Sequence, residues 1–332
     1  MQDIVVFKIE PNSSVPKYQQ IVNAVNEAVA KNHLNIGDLL PSVNVVCRKF
    51  SLSRDTVFKA YSILKESNVI ESVPNKGYYV ASNTKKVLLV LDTFKAYKEV
   101  LYHSFTNYLG DDVITDVQFH HYNIENFKTI INNSIGKYYK YVIMGFDHKD
   151  IPIVLDKIDS NNLLLLDWNI HVQDSNNYVF QDFGKNFYKS LSDIERLFKK
   201  YKAIHFLYPE YTNHPIETIT YFKKFCKDFG IVGEAVTDCK NLQVERGIAY
   251  ISVSDRMLGE FLEQCRAKDL EPGKDLGFLS YNDTPMKKFI YKGISVVTTD
   301  FKEMGEQAAR FVADDAPKQL YVSTKIIIRD SL

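Results

Sequence analysis

The chain has 332 residues, enough for two or three domains, and is 45% hydrophobic and 25% charged, an ordinary balance for a globular protein. Its 41 basic and 41 acidic residues cancel, which excludes a global basic signature; a nucleic-acid-binding surface would have to be local. No apolar run approaches the roughly 20 residues of a membrane-spanning helix. The opening MQDIVVFKIEPN does not read as a signal peptide, because four apolar residues are hemmed in by charges and Pro11, so a cytoplasmic protein is expected. The four cysteines (Cys47, Cys226, Cys239 and Cys265) are scattered with no C-x-x-C pair, so reduced thiols and no metal or cofactor are expected.

In chain order, residues 16–33 carry apolar groups at Tyr18, Ile21, Val22, Val25, Ala28 and Val29, a helical spacing that Ser14 could cap. The stretch NIGDLLP breaks the pattern. A short helix is predicted at about 42–50 and another at about 53–66, with Val57, Ala60, Tyr61 and Leu64 on one face. VIESV and YYVA, joined by PNKG, read as a hairpin. Two helices, a short turn, a third helix and a hairpin make a winged helix-turn-helix over residues 1–80.

ASNTKK (81–86) reads as a linker, after which strand-like and helix-like stretches alternate to the end of the chain. VLLVLD, YVIMGF, NLLLLDW, AIHFLY, GIAYISVSD, LGFLSYND and GISVVTTD are apolar runs of the kind buried in parallel strands. Helices are predicted between them, including one at about 184–200 and a last one at about 302–313. Repeated β-α-β over 87–332 predicts a doubly wound α/β domain. Its two lobes are expected at about 87–182 with 297–332, and about 183–296, with a cleft between them.

PKYQQI (16–21), GDLLPS (37–42), LSRDTVFKAYSIL (52–64) and GYYV (77–80) together resemble the GntR family of bacterial transcription regulators. The resemblance implies that Arg54 contacts bases or phosphates from a recognition helix and that Gly77 and its neighbours form a wing. Physical chemistry agrees, since a helix N-terminus suits a phosphate and arginine can grip guanine through two hydrogen bonds. Ser53 is placed as an N-cap with Thr56 three residues on, Ser42 and Asn44 stand at the start of the preceding helix, and Lys59 and Lys76 add local charge. Residues 41–80 hold six basic and three acidic side chains, a balance of +3 that implies weak binding by one copy and hence a homodimer on double-stranded operator DNA. Two positions stay open. Asp55 either favours the helix N-terminus or reads a base, and Phe58 either packs on the first helix or touches a thymine methyl.

Residues 87–332 resemble the effector domain of LacI-type repressors and periplasmic sugar-binding proteins. VLLVLDTFKAYKEVL, YISVSDRMLGEFLEQCRAKDLEPGKDLGFLSYND and ISVVTTDFKEMGEQAARFV carry the likeness, and a GntR head on such a domain is the arabinose-repressor type of architecture. Ligands in open α/β sheets bind beyond the carboxyl ends of the strands. That rule selects Asp92 with Tyr97 and Lys98, Phe146 with Asp147, Trp168, Asp182, Tyr208 with Glu210, Ser254 with Asp255 and Arg256, and Asn282 with Asp283. The resemblance places ligand-facing groups at Tyr97, Lys98 and Asp255. It also implies two departures: Asn282 replaces an aspartate, and Thr218 aligns loosely with an arginine. Hinge, turn and capping roles compete at each of these positions.

No G-x-x-x-x-G-K-[ST], G-x-G-x-x-G, nucleophile elbow or triad is present, so no enzyme is expected. His121 and Glu125 stand four residues apart, but a solvated helix start explains them better than a metal. The expected function is a transcription regulator controlled by a small molecule, a monosaccharide or derivative. The alternative keeps the DNA-binding head and makes the second domain a dimerisation or interaction module without a ligand.

Overall fold

The computed structural model describes residues 9–11, 13, 15–31, 33–74, 76–81, 85–170, 177–314 and 316–332; the expected cap Ser14 lies outside them. The chain divides into two compact units, one running to residue 85 and taking in 111–114, the other comprising 86–110 and 115–332.

The first unit holds α1 (Lys17–Ala30), α2 (Val43–Phe50), α3 (Arg54–Glu66) and the hairpin of β1 (Ile70–Val73) and β2 (Gly77–Val80). Ile21, Val22, Val25 and Ala28 share one face of α1 and pack with Val57, Ala60, Tyr61 and Leu64 of α3 in a single core. The GDLLPS segment is held by the hairpin: Gly37 N donates to Val80 O (3.0 Å), and Leu40 N donates to Tyr78 O (2.7 Å). The Tyr61 hydroxyl closes the arrangement on Pro41 O at 2.6 Å. Helix α2 ends at Ser51, whose φ of 51° reverses the chain so that α3 can begin three residues later.

The second unit continues with β3 (Lys85–Leu91), α4 (Ala96–Tyr108), β4 (Val113–Phe119), α5 (Ile124–Ser134), β5 (Lys140–Met144), α6 (Ile151–Leu155), β6 (Leu163–Asp167) and β7 (Tyr178–Gln181). It goes on with α7 (Lys185–Asp193), α8 (Glu195–Phe198), β8 (Ala203–Leu207), α9 (Glu217–Phe229), β9 (Gly233–Val236), β10 (Ile248–Ser252), α10 (Asp255–Ala267), β11 (Gly277–Tyr281), β12 (Ser295–Thr299), α11 (Phe301–Asp314), β13 (Gln319–Val322) and β14 (Thr324–Ile327). The single helix expected at 184–200 is thus two, parted at Ile194, and β3 already claims Lys85 and Lys86 from the expected linker.

Two six-stranded sheets result, in the orders β13-β7-β6-β5-β3-β4 and β14-β12-β11-β10-β8-β9. Strands β5, β6, β10, β11 and β12 are buried at every residue, as parallel strands covered on both faces must be. Strand β14 runs antiparallel to β12, pairing Thr324 with Thr299. The chain passes between the sheets after β7, after β12 and between β13 and β14. This corrects the expected lobe boundary: residues 297–299 and 324–327 belong to the second sheet, because β12 pairs with β11 and β14 with β12. The crossings are tied together. Thr299 Oγ1 donates to Gln181 Oε1 at 2.7 Å, and Asp300 N donates to Ser323 O at 3.3 Å. Helix α11 packs on α4 through Gly305, where a Cβ would lie 2.4 Å from Leu101 O. No described helix is long and apolar enough to cross a membrane.

Candidate functional site

The exposed side of α3 starts with a well-made cap. Ser53 Oγ accepts Thr56 N (3.2 Å) and lies 2.8 Å from Thr56 Oγ1, and Ser42 Oγ accepts Val45 N (3.4 Å) at the start of α2. Arg54, Asp55, Phe58 and Lys59 are exposed behind the cap, with Asn44 exposed on α2 and Lys76 at the hairpin. Phe58 is 42% exposed and is not among the buried residues of the head's core, and its ring lies 5.8 Å from the Arg54 guanidinium. Lys59 instead reaches α1, with Nζ 4.0 Å from the centre of the Tyr18 ring. Gly77 has a φ of +121°, a conformation that favours glycine, and a Cβ there would approach the Leu39 Cδ1 methyl at 3.1 Å.

The second unit holds a cavity of about 460 Å³ between its two sheets, within the usual range for small-molecule sites. Of the residues singled out from the sequence, it gathers Asp92, Tyr97, Trp168, Ser254, Asp255, Arg256 and Asn282. Trp168 also packs against the hydrophobic cores of both lobes, so its lining and hinge-side roles coincide.

Other candidates stand elsewhere, each for a physical reason. Lys98 is fully buried behind Asp92, with which it forms an ion pair. Phe146 belongs to the core of the first lobe, stacked 4.9 Å from His120. Asp182 caps the turn after β7 by accepting Gly184 N at 2.9 Å. Tyr208 turns its hydroxyl to His214 O, and Asp283 is held by both Arg329 nitrogens at 3.0 and 2.7 Å. Asp147 and Glu210 do not line the cavity. Thr218 is buried, with its hydroxyl 3.0 Å from His214 Nε2.

The cavity also brings in groups that the sequence did not single out: Asp167, Gln181, Tyr122, Tyr211, His214 and Tyr281. Asp92 accepts from the Tyr122 hydroxyl, and Asp167 accepts from the Gln181 amide. Because Gln181 is the residue that takes the Thr299 hydroxyl, the cavity floor connects directly to the crossings between lobes. Asp167 has a φ of +73° and Asn282 one of +59°, sparsely populated conformations for residues other than glycine that tend to cluster at functional sites. The Tyr281 hydroxyl and Asn282 Oδ1 are buried without a hydrogen-bond partner.

Burial sets the electrostatics. It lifts the Asp167 carboxyl, against the pull of Lys98 and the Gln181 hydrogen bond. It pushes the Lys98 ammonium down to about 8, with Asp167 opposing, so Lys98 stays charged at neutral pH. It pushes His214 down to about 3, with Lys95 adding to the shift, and raises the Tyr281 phenol. The cavity is therefore rich in aromatic faces and acceptors, and its imidazole is neutral.

Residues 17–80 match the model of bacterial regulatory proteins of the gntR family, and residues 198–332 match the periplasmic binding protein-like domain. The HTH-type transcriptional repressor YtrA of Bacillus subtilis is 34% identical over 84 residues, 25% of this chain and 65% of that protein. The mannosyl-D-glycerate transport/metabolism system repressor MngR of Escherichia coli is 37% identical over 65 residues, 20% of this chain and 27% of that one. The chain thus covers less than two thirds of either relative. Among solved structures, the trehalose repressor from Escherichia coli superposes with a TM-score of 0.62 at 15% identity, covering 73% of this chain and 99% of that one. A LacI family transcriptional regulator from Enterococcus faecium with bound ribose gives 0.59 at 12% identity, covering 74% and 98%. These likenesses establish the fold. The chain thus carries a region matching the gntR-family model at residues 17–80 and one matching the periplasmic binding protein-like domain at residues 198–332, and it shares its fold with the solved regulators named above.

Proposed function

We propose that this protein is a cytoplasmic, homodimeric repressor whose hold on DNA is controlled by a small polyhydroxylated effector, a monosaccharide or derivative, in the cleft. Two heads read a two-fold operator. In each, Arg54 and Phe58 enter the major groove from α3, Ser53 and Thr56 shape the helix tip, and Lys76 with Gly77 lies along the backbone. Asp55 favours the helix N-terminus by its charge, and Ser42, Asn44 and Lys59 flank the contact. Effector binding draws the lobes together, alters the spacing of the heads and releases the operator. A coupling of about 1–3 kcal/mol, or roughly 5- to 150-fold in affinity, is enough for such a switch.

The observation that carries this reading is the open cavity of about 460 Å³, lined by carboxylates, amides, aromatic faces and the basic side chains Lys95 and Arg256. Carboxylates accept hydrogen bonds from sugar hydroxyls, and aromatic rings cover the C–H face. A vestigial cleft in a mere dimerisation module would be filled by its own side chains. The test has two parts. Selection from random DNA duplexes should yield a palindromic site, and a sugar panel should include a member that both stabilises the protein and lowers its affinity for that site. A panel in which no sugar binds would remove the sensor half of the proposal.

A further inference from the structure

A second cavity, of about 600 Å³, adjoins the cleft on the side of the second lobe and shares Tyr211 and Arg256 with it. It lies beyond the carboxyl ends of β8 and β9, between the loops that follow them and the first turns of α10. That is where open α/β sheets place ligands. Glu210, which the strand-end rule selects and the cleft leaves out, stands in its wall. Every residue lining this cavity comes from the second lobe, whereas the cleft is lined from both.

What divides the two spaces is slight. The Tyr211 hydroxyl lies 3.1 Å from Ser254 Oγ, and the Arg256 guanidinium covers the Tyr211 ring at 5.4 Å. Arg256 Nε donates in turn to Glu260 Oε1 at 3.1 Å. Tyr211 is 53% exposed and the Arg256 side chain 74%, and exposed cation–π contacts and ion pairs of this kind are weak. A ligand that covers the Tyr211 ring can displace them. Beyond the divide, Pro209, Tyr211 and Met257 supply apolar surface, and Glu210, Asp238 and Lys240 add exposed hydrogen-bonding groups at the rim. Cys239 is buried, its Sγ donating to Val236 O at 3.4 Å; burial pushes its thiol up to about 11, so it is neutral wall and no nucleophile. Apolar faces with a few convergent polar groups suit a sugar ring or an aglycone.

We propose that this cavity is a side subsite of the cleft and that the effector is a disaccharide or other glycoside, with one ring between the lobes and its second unit laid past Tyr211 into the side cavity. The proposal rests on the sensor reading above and extends it. It separates two tasks. A ligand shifts an equilibrium only through its differential affinity for the two states. The ring in the cleft touches both lobes, so its contacts change on closure. The second unit touches one lobe, so its contacts are the same whether the lobes are open or closed. The side cavity therefore adds affinity without adding to the switch.

Calorimetry and operator anisotropy on the full chain test this with matched sets: glucose with maltose and cellobiose, galactose with lactose and melibiose, mannose with mannobiose, xylose with xylobiose, and arabinose with arabinobiose. In the cognate set one disaccharide should bind at least about tenfold more tightly than its monosaccharide, and the two should release the operator to the same extent at saturation. A monosaccharide that binds as tightly as every disaccharide built from it overturns the proposal and leaves the sensor reading standing. So does a disaccharide that releases the operator further than the saturating monosaccharide. A panel in which nothing binds removes the sensor reading and the proposal with it.

Thr237→Tyr fills the side cavity from an exposed position that does not line the cleft. It should abolish the advantage of the disaccharide while the monosaccharide binds and releases the operator as before, which also shows that the variant is folded. Glu210→Ala removes one rim carboxylate without adding bulk and should shrink the same advantage. An advantage unchanged in both variants, or affinities for the monosaccharide and disaccharide that fall together, refutes the place given to the second unit.

Discussion

Acidification should destabilise the two-lobed unit through two imidazoles that the fold keeps neutral. His120 is fully buried, with Nε2 3.1 Å from Met144 O and its ring stacked 4.9 Å from Phe146. Burial pushes its pKa down to about 4, and Lys98 and His121 add repulsion. His214, packed 4.5 Å from Tyr281, is pushed down to about 3. An unfolded histidine titrates near 6.5. Both folded pKa values lie below that, so the unfolded chain takes up protons first as pH falls. The stabilisation is fully present above pH 6.5 and is lost progressively toward pH 4 to 3. At pH 5 the linkage amounts to about 2 kcal/mol for His120, and to about half that for His214, whose cavity position leaves it partly solvated. A loss of about 3 kcal/mol corresponds to roughly 6–12 °C in a unit of this size. Thermal melts at pH 7.5 and pH 5, read through the only tryptophan, Trp168, measure it directly. A midpoint independent of pH over this range, or the same slope in His120→Asn/His214→Gln, would refute the reasoning.

In the head, Arg54→Ala should lower operator affinity by about 1–3 kcal/mol, read by fluorescence anisotropy, while leaving its melting midpoint in place. Because Phe58 is 42% exposed, Phe58→Ala should change stability by less than about 0.5 kcal/mol yet alter the selected operator sequence; the reverse pattern would make it a structural residue. Gly305→Leu should cost about 3 kcal/mol or more in urea unfolding, since its Cβ would strike Leu101 O and Phe105 N, both backbone atoms. Gly259→Ala, in α10 with nothing within 4 Å of the new Cβ, should instead stabilise by about 0.5–1 kcal/mol. Thr299→Val removes the hydroxyl that joins Gln181 across two crossings, and should weaken effector-induced operator release more than effector binding, compared by anisotropy and calorimetry.

What could be read from the sequence follows from periodicity. The faces of α1 and α3 were legible because a single apolar stripe repeats every three or four residues. The buried strands were legible because runs such as Leu163–Asp167 have no polar face at all. Helix α7 and α8 merged into one because the apolar spacing continues across Ile194, and only the backbone there departs from the helix. The lobe assignment failed at the end of the chain, where two four-residue strands, β13 and β14, are separated by Ser323 alone and enter different sheets. Nothing in the local pattern of QLYVSTKII says which sheet takes which half.

The cavity shows the same division more sharply. The strand-end rule locates a region, and Asp92, Trp168, Asp255 and Asn282 were found by it. It does not say which of two adjacent side chains turns inward. After β7 the choice fell on Asp182, whose carboxylate caps its own turn, while the neighbouring Gln181 faces the cavity. After β8 the choice fell on Tyr208, but the loop runs on and delivers Tyr211 and His214 instead. The alternation of β7 was a usable signal for Gln181, since successive side chains of a strand point to opposite faces. For Lys98 and Lys287 no such signal exists. A lysine in the first turn of α4 and another after β11 read as ordinary surface charge, and only the three-dimensional packing buries each behind an aspartate. Removing either carboxylate would strand an ammonium in the interior, a loss of several kcal/mol for a fully buried pair and less where Asp255 meets solvent.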